Sequence, residues 1–392
     1  MTPNESIAFT HATILDGTAS MEPQQDMTVV VDRGVIARVG KASRVDVPAG
    51  ARVVDLGGAY LLPGLINMHV HFCGSGRPTS AGDAGALMKK LDNPLGRAVV
   101  RKMLRKSAQQ QLASGVTTVR GAGDPLYGEI AAHGADVIKL FVTGGVFDAT
   151  KMGEPGVLRM SPQIAAAACS AAHKLGLPVM AHVESTEGVR VALEAGVDTI
   201  EHGAPMTPQI VELYRGAAHT QFAGRKPSLT CTISPALPFA KLDPEKTRST
   251  DVQKANGDIV CEGIIQSARE ALGAGIDVGL GTDSSCPYVT QYDMWREVAY
   301  FAKYVGVSNA FALHTATAVN ARLLGLGEET GTVEEGKSAD LIVVERNPLD
   351  DLSALRDVRH VMCRGAYVER PRVKHIPELD AELDWIMEQP VP

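Results

Sequence analysis

The first residues whose spacing suggests chemistry are two histidines in Gly64-Leu-Ile-Asn-Met-His-Val-His-Phe72. Side chains two apart on a strand share a face, so His69 and His71 point the same way and their imidazoles can chelate one metal ion. Alone, the pair supports no more than two polar groups on a solvated face. Other groups of the same chemical type follow, each on or just after a separate predicted strand. They are Lys139 in Val137-Ile-Lys-Leu-Phe141, His182 in Val179-Met-Ala-His-Val183, His202 in Thr199-Ile-Glu-His-Gly203 and Asp283 in Gly279-Leu-Gly-Thr-Asp283. A lysine flanked by Ile138 and Leu140 is costly to bury as an ammonium. It either snorkels to solvent, pairs with a carboxylate, or lies neutral and adds carbon dioxide, giving a carbamate that bridges two cations as a carboxylate would.

The elements that must position these groups alternate between short apolar strands and helices from about Leu61 to Gly331. That pattern predicts βα units and a parallel sheet, with strands at 65–72, 116–121, 136–142, 178–184, 198–203, 227–233 and 276–282. Parallel barrels gather their chemistry at the C-terminal strand ends, where these side chains would converge. Ser161-Pro162 and Thr207-Pro208 each place a capping hydroxyl before a proline at the first helical position, and Gly176 stops the first of these helices. Before residue 60, Thr28-Val-Val-Val31 and Val35-Ile-Ala-Arg-Val39 flank a turn at Asp32-Arg-Gly34 and read as a hairpin. Ala339-Asp-Leu-Ile-Val-Val344 and Val358 to Val368, broken at Arg364-Gly365, supply matching strands near the other end. The expected fold class is α/β: a TIM-like (β/α) barrel over 61–331, with a small β-sandwich domain formed by 1–60 and 332–392.

Length and composition agree with a folded globular chain. Of 392 residues 45% are hydrophobic and 21% charged, enough to bury a large core and too few polar residues for wholesale disorder. A formal charge of −7, with no basic block, argues against nucleic acid as a partner. Apolar stretches are too short to span a membrane, the first residues do not resemble a signal peptide, and the six cysteines include no C-x-x-C pair. A reducing cytoplasm is the expected location, and a homo-oligomer is compatible with the sequence.

The run Tyr60-Leu-Leu-Pro-Gly-Leu-Ile-Asn-Met-His-Val-His71, followed in order by Lys139, His182, His202 and Asp283, resembles the amidohydrolase superfamily. Ala135-Asp-Val-Ile-Lys-Leu-Phe-Val-Thr-Gly-Gly145, Ala181-His-Val-Glu184 and Thr199-Ile-Glu-His-Gly203 are similar to its imidazolonepropionase-like and metal-dependent dipeptidase branch. The resemblance implies a binuclear centre with His69, His71 and Asp283 on one divalent metal ion and His182 and His202 on the other. Carboxylated Lys139 would bridge the two, and zinc is the expected ion for imidazoles without thiolates. Two cations would activate a water as hydroxide and polarise a carbonyl, with Asp283 carrying the proton from water to the departing nitrogen. The expected substrate is an amide, either a dipeptide or an N-acyl amino acid, with a cyclic amide of the imidazolone kind as the second choice. A metal-binding scaffold without activity is the rival from another class.

Substrate contacts are weaker readings. Arg120 ends a strand on the presumed active face and would meet a carboxylate or form a structural salt bridge. Thr143 and Gly144 follow the Lys139 strand, and Tyr288 lies beyond Asp283. His133, His173, His219, His314 and His360 lack a strand-end setting and are not expected in the site. One departure from the resemblance stands out: only about fifteen residues separate the strand ending near Gly121 from the one starting near Asp136, room for one crossover helix. An eight-stranded barrel would place its bridging lysine on strand four, and here that strand is third. Either seven strands close the barrel or, as expected here, a segment near 128–132 is omitted, with one Cα step across 121–136 well above about 3.8 Å.

Overall fold

A computed structural model describes residues 6–78, 90–124, 126, 134–216 and 224–390. The chain divides into two compact units, one of residues 1–68, 108–119 and 292–375 and the other of residues 69–107, 120–291 and 376–392.

The first unit opens with β1 (Ile7–Ile14), β2 (Gln24–Asp32), β3 (Val35–Lys41), β4 (Arg52–Asp55) and β5 (Tyr60–Pro63). β1 and β2 run antiparallel, with Ile7 opposite Val31 and Phe9 opposite Val29, so apolar residues two apart meet on one face. β2 returns as β3 through a two-residue turn in which Arg33 and Gly34 have φ of 47° and 81°. This is the primed turn whose twist suits a hairpin, and it explains the glycine.

The second unit holds an all-parallel sheet of five strands. β6 (Leu65–Val70) and β7 (Val116–Gly121) form a separate two-stranded sheet. β8 (Ile138–Phe141), β9 (Val179–Val183), β10 (Thr199–His202), β11 (Ser228–Cys231) and β12 (Val278–Leu280) form a five-stranded sheet in the order β12-β11-β10-β9-β8. All seven predicted strands are present: Val116–Gly121 has the expected bounds and the other six are shorter than expected by two to four residues. Every pairing in the five-stranded sheet is parallel, and helices run between its strands. The helix Pro162–Lys174 starts where Ser161 accepts the Ile164 N–H, and Pro208–Tyr214 where Thr207 accepts that of Ile210. Both are the caps read from the sequence. Asp251–Gly273 carries the capping box of Thr250 and Gln253. The segment expected to be omitted near 128–132 lies outside the described residues, as do His133 and His219.

Chain and sheet then return to the first unit. β13 (Leu341–Val344) pairs antiparallel with β5, and β14 (Val358–Cys363) and β15 (Ala366–Glu369) extend the sheet beyond it. The eight-stranded order is β15-β14-β13-β5-β1-β2-β3, with β4 beside β1, so strands from both ends of the sequence share one sheet. Ile7, Phe9, Val29, Leu61, Leu341 and Val343 are among its buried apolar core.

Candidate active site

β10, β11 and β12 are buried along their whole length and β9 at all but His182, so ionisable residues within these strands mark the site. In β10 all four residues Thr199-Ile-Glu-His202 are buried, and two of them are ionisable. The register places Glu201 beside His182 of β9, and Lys139 of β8 beside Met180. His69 is the penultimate residue of β6, while His71 lies just beyond its end. Asp283 follows β12 with a left-handed φ of 56°, and its N–H donates to the His69 carbonyl at 2.8 Å.

These side chains converge. The Asp283 Oδ1 atom lies 3.4 Å from His69 Nε2 and 3.3 Å from His71 Nε2. Lys139 Nζ is 3.0 Å from His69 Nε2. The His202 ring stands 4.6 Å from that of His182 and 5.0 Å from that of His69, centroid to centroid. His202, also left-handed at φ 70°, shares a hydrogen bond of 2.7 Å between its Nδ1 and the Thr232 hydroxyl. Its Nε2 is buried with no hydrogen-bond partner. A buried, unmatched nitrogen costs stability unless something absent from the bare chain takes its lone pair. Two sets of donors are close enough to share an ion, His69 with His202 and Asp283, and His182 with Glu184 and His202; within each set the ligand atoms lie within 4.8 Å of one another. Imidazole nitrogen and carboxylate oxygen form a donor set that suits a divalent cation such as zinc.

The electrostatics follow from burial among like and unlike charges. Burial, reinforced by Lys139, pushes the His69 and His182 imidazoles down to about 4, and burial together with His182 holds His202 well below its usual value. Neutral imidazoles are the form that binds metal. Burial lowers His71 too, but its hydrogen bond with Asp283 outweighs this and raises it. For Asp283, burial would raise the carboxyl; the His69, His71 and His202 imidazoles reverse that and hold it well below the usual range. Burial draws the Lys139 amine down to about 8 against the pull of Glu201 and Asp283.

Around this cluster lies a supporting layer that the sequence reading did not assign. His69 Nδ1 and Glu201 Oε2 share a hydrogen bond of 2.8 Å, which turns Nε2 toward Asp283. The Arg120 guanidinium donates to Glu201 Oε1 at 2.7 Å and to the Thr199 and Thr230 hydroxyls at 3.0 Å. Burial alone would raise the Glu201 carboxyl, but Arg120 and His69 bring it to about 2. His71 Nδ1 bonds the Gly123 carbonyl, and Asp124 accepts the N–H groups of Phe72 and Cys73. The available signal was an acidic residue inside an apolar strand: Glu201 precedes His202 in a run with no solvent-facing side.

A cavity of about 450 Å³ opens over the cluster, lined by His69, His71, Lys139, His182, His202 and Asp283 together with Thr143, Gly144 and Glu184. Phe141, Phe147, Phe239, Val260 and Ile264 form an apolar part of its wall. Of the residues expected to touch substrate, Thr143 and Gly144 line this cavity. Arg120 and Tyr288 do not: the guanidinium is committed to Glu201, as the salt-bridge reading had it, and the Tyr288 hydroxyl donates to the Lys246 carbonyl at 3.1 Å. His173, His314 and His360 bond Asp198, the Gly17 carbonyl and Tyr367, away from the cluster.

Comparison with known proteins accounts for this arrangement. The sequence profile of the amidohydrolase family matches residues 124–368. Ochratoxinase of Aspergillus niger is 26% identical over 247 residues, which cover 62% of this chain and 48% of that protein, so the match spans about half its length. Imidazolonepropionase of Thermoplasma acidophilum is 22% identical over 86% of this chain and 88% of its own. A crystal structure from Bifidobacterium longum, proposed to be a prolidase, superposes with a TM-score of 0.84 at 34% identity over 97% of this chain and 99% of that one. No helix among the described residues is long and apolar enough to cross a membrane. With its profile matched over more than half its length, the chain belongs to the amidohydrolase family, and the proteins it resembles include an imidazolonepropionase and a prolidase-like protein.

Proposed function

We propose that the protein is a metal-dependent hydrolase that cleaves the C–N bond of a dipeptide or an N-acyl amino acid. The observation that carries this reading is the meeting of Asp283 Oδ1 with the Nε2 atoms of His69 and His71 at 3.4 Å and 3.3 Å, in the cavity that His182, His202 and Lys139 also line. His69, His71 and Asp283 would hold one divalent ion and His182 and His202 a second, with a carbamate on Lys139 between them; zinc fits the donors best. The unmatched His202 Nε2 and the neutral state of three of the four imidazoles support this assignment. Bound there, two cations would acidify a water and polarise the carbonyl under attack.

The chain's own groups do the rest. Asp283, ionised and in reach of the ligand atoms, accepts the proton of the attacking water and returns it to the leaving nitrogen, so the amine departs neutral. Glu201, kept ionised by Arg120, fixes the His69 tautomer through Nδ1. The apolar wall excludes water from the rest of the cavity. In this reading the parallel strands belong to a (β/α) barrel, and the sheet shared by the two ends of the sequence belongs to a small β-sandwich.

The fold likeness of a Xaa-Pro dipeptidase with methionine bound in its active site supports the choice of substrate class (TM-score 0.76, 24% identity, covering 93% of this chain and 100% of that one). A cyclic amide of the imidazolone kind is the second reading, favoured by the imidazolonepropionase match. Elemental analysis together with hydrolysis across dipeptides, N-acyl amino acids and cyclic amides tests both. The expected outcome is about two transition-metal ions per chain and turnover of the linear amides. Protein grown with ample metal that holds none, or takes only cyclic amides, would overturn the leading reading.

A further inference from the structure

Among the ionisable groups lining the cavity that the proposed metal ligands do not use is Glu184. Glu184 lies two residues beyond His182, its side chain 11% exposed, and lines the same cavity. Its Oε2 accepts the Val146 N–H at 3.1 Å and its Oε1 is 3.7 Å from His182 Nε2. Among the described residues no lysine or arginine pairs with it: Arg159, the cation on that wall, is held by Asp148 at 3.0 Å. The chain makes room for the carboxylate, since a Cβ on Gly145 would stand only 3.0 Å from Glu184 Oε2. A buried carboxylate accepts up to about four hydrogen bonds and is costly without a cation. Glu184 therefore offers a ready site for a positive group brought by a ligand.

The position of that group is set by its neighbours. Ligand atoms of Glu184, His182 and His202 fall within 4.8 Å of one another, so the carboxylate borders the place where a scissile carbonyl would sit. In a dipeptide the free α-ammonium and the scissile carbonyl are bonded to the same Cα, so a group beside the carbonyl site meets the ammonium. An N-acyl amino acid brings no positive charge to that spot and leaves the Glu184 carboxyl with the Val146 N–H but no cation, the kind of mismatch a polar site rejects most strongly.

We propose that Glu184 is the specificity-determining residue for a free α-amino group, and that the substrates are unacylated dipeptides with an apolar side chain seated against Phe141, Phe147 and Phe239. This rests on the amide-hydrolase reading above. The test compares kcat/KM for leucyl-phenylalanine and its N-acetylated form in the metal-loaded enzyme and in Glu184→Gln, with metal content measured on both. The wild type should favour the free dipeptide, and Glu184→Gln should cut that preference by about 10- to 100-fold while keeping its metal, since a charge-assisted hydrogen bond is lost. Glu184→Asp, which keeps the charge at shorter reach, should retain part of the preference and replaces the Gln variant if thermal unfolding shows that one misfolded. A preference that does not move, or metal lost with Glu184→Gln, would overturn the proposal, the second by making Glu184 a ligand. A wild type that cleaves neither linear class overturns the linear-amide reading itself and this inference with it.

Discussion

Each of the two compact units contains a strand buried along its whole length, but the two are filled differently. β13 of the first unit is buried throughout with Leu341-Ile-Val-Val344, and it sits in a sheet whose core is aliphatic and aromatic. β10 of the second is buried throughout with Thr199-Ile-Glu-His202. Apolar burial stabilises by about 25 cal/mol per Å², whereas buried ionisable groups cost free energy unless each finds a partner. The second unit meets most of that cost through the chain Arg120, Glu201, His69 and leaves part of it unmet at His202 Nε2. The difference teaches that the first sheet is built for stability and the strand ends of the second unit for chemistry, so substitutions in the two should separate activity from stability.

The largest effect is expected at Asp283. Asp283→Asn keeps shape and some affinity for metal but cannot carry a proton, so kcat should fall by about 10²–10⁴ while KM moves much less. Turnover within a few-fold of wild type would reduce Asp283 to a ligand. Next comes Lys139→Ala, which should lower the metal content from about two ions toward one or none, with partial recovery of activity on adding short carboxylic acids; unchanged metal would remove Lys139 from the site.

Glu201→Gln sharpens the comparison further, because it tests a residue that touches neither substrate nor ion. Losing the anchor of His69 Nδ1 should cost about 10- to 100-fold in metal affinity, read by competition with a chelator. Metal affinity equal to wild type would show that packing alone fixes the His69 ring.

Acid should separate the units as well. In chelator-treated protein the His182 imidazole, ordinarily near 6.5, is held to about 4 by burial and Lys139. Between those values the unfolded chain takes up a proton that the folded chain refuses, so the stability His182 contributes is complete above pH 6.5 and is lost as pH falls toward 4. The thermal midpoint of wild type should therefore drop more over that interval than that of His182→Asn, and equal slopes would contradict the buried neutral imidazole. The smallest effect belongs to the first unit: Ile14→Val, in its apolar core, should cost about 0.5–1.5 kcal/mol of stability and leave kcat/KM unchanged. A change in kcat/KM there would erase the division of labour.

Much of this was legible in the residues. The strands could be placed because parallel strands buried on both faces read as short apolar runs, and two helix starts because a hydroxyl before proline has a local mechanism. Lys139, His182, His202 and Asp283 stood out as polar residues at the ends of such runs. Glu201 and Glu184 sat beside two of them without being assigned, since an acidic neighbour of a ligand has no spacing of its own and its partners, Arg120 and Val146, are 81 and 38 residues away. Arg120 was equally open in sequence between substrate and salt bridge, and only the position of Glu201 decides it.

The sequence by itself determined the alternation of strand and helix, the groups that would be expected to bind metal and the shared sheet of the two ends, because each rests on local periodicity or on residue chemistry. Tertiary structure decided which nitrogen of His69 faces the cavity, which carboxylate is held ionised at about 2 and which carboxyl lies beside His182 on the cavity wall. Those depend on distances of about 3 Å between atoms far apart in the chain, where both hydrogen-bond strength and desolvation change steeply, and no spacing along the sequence encodes them.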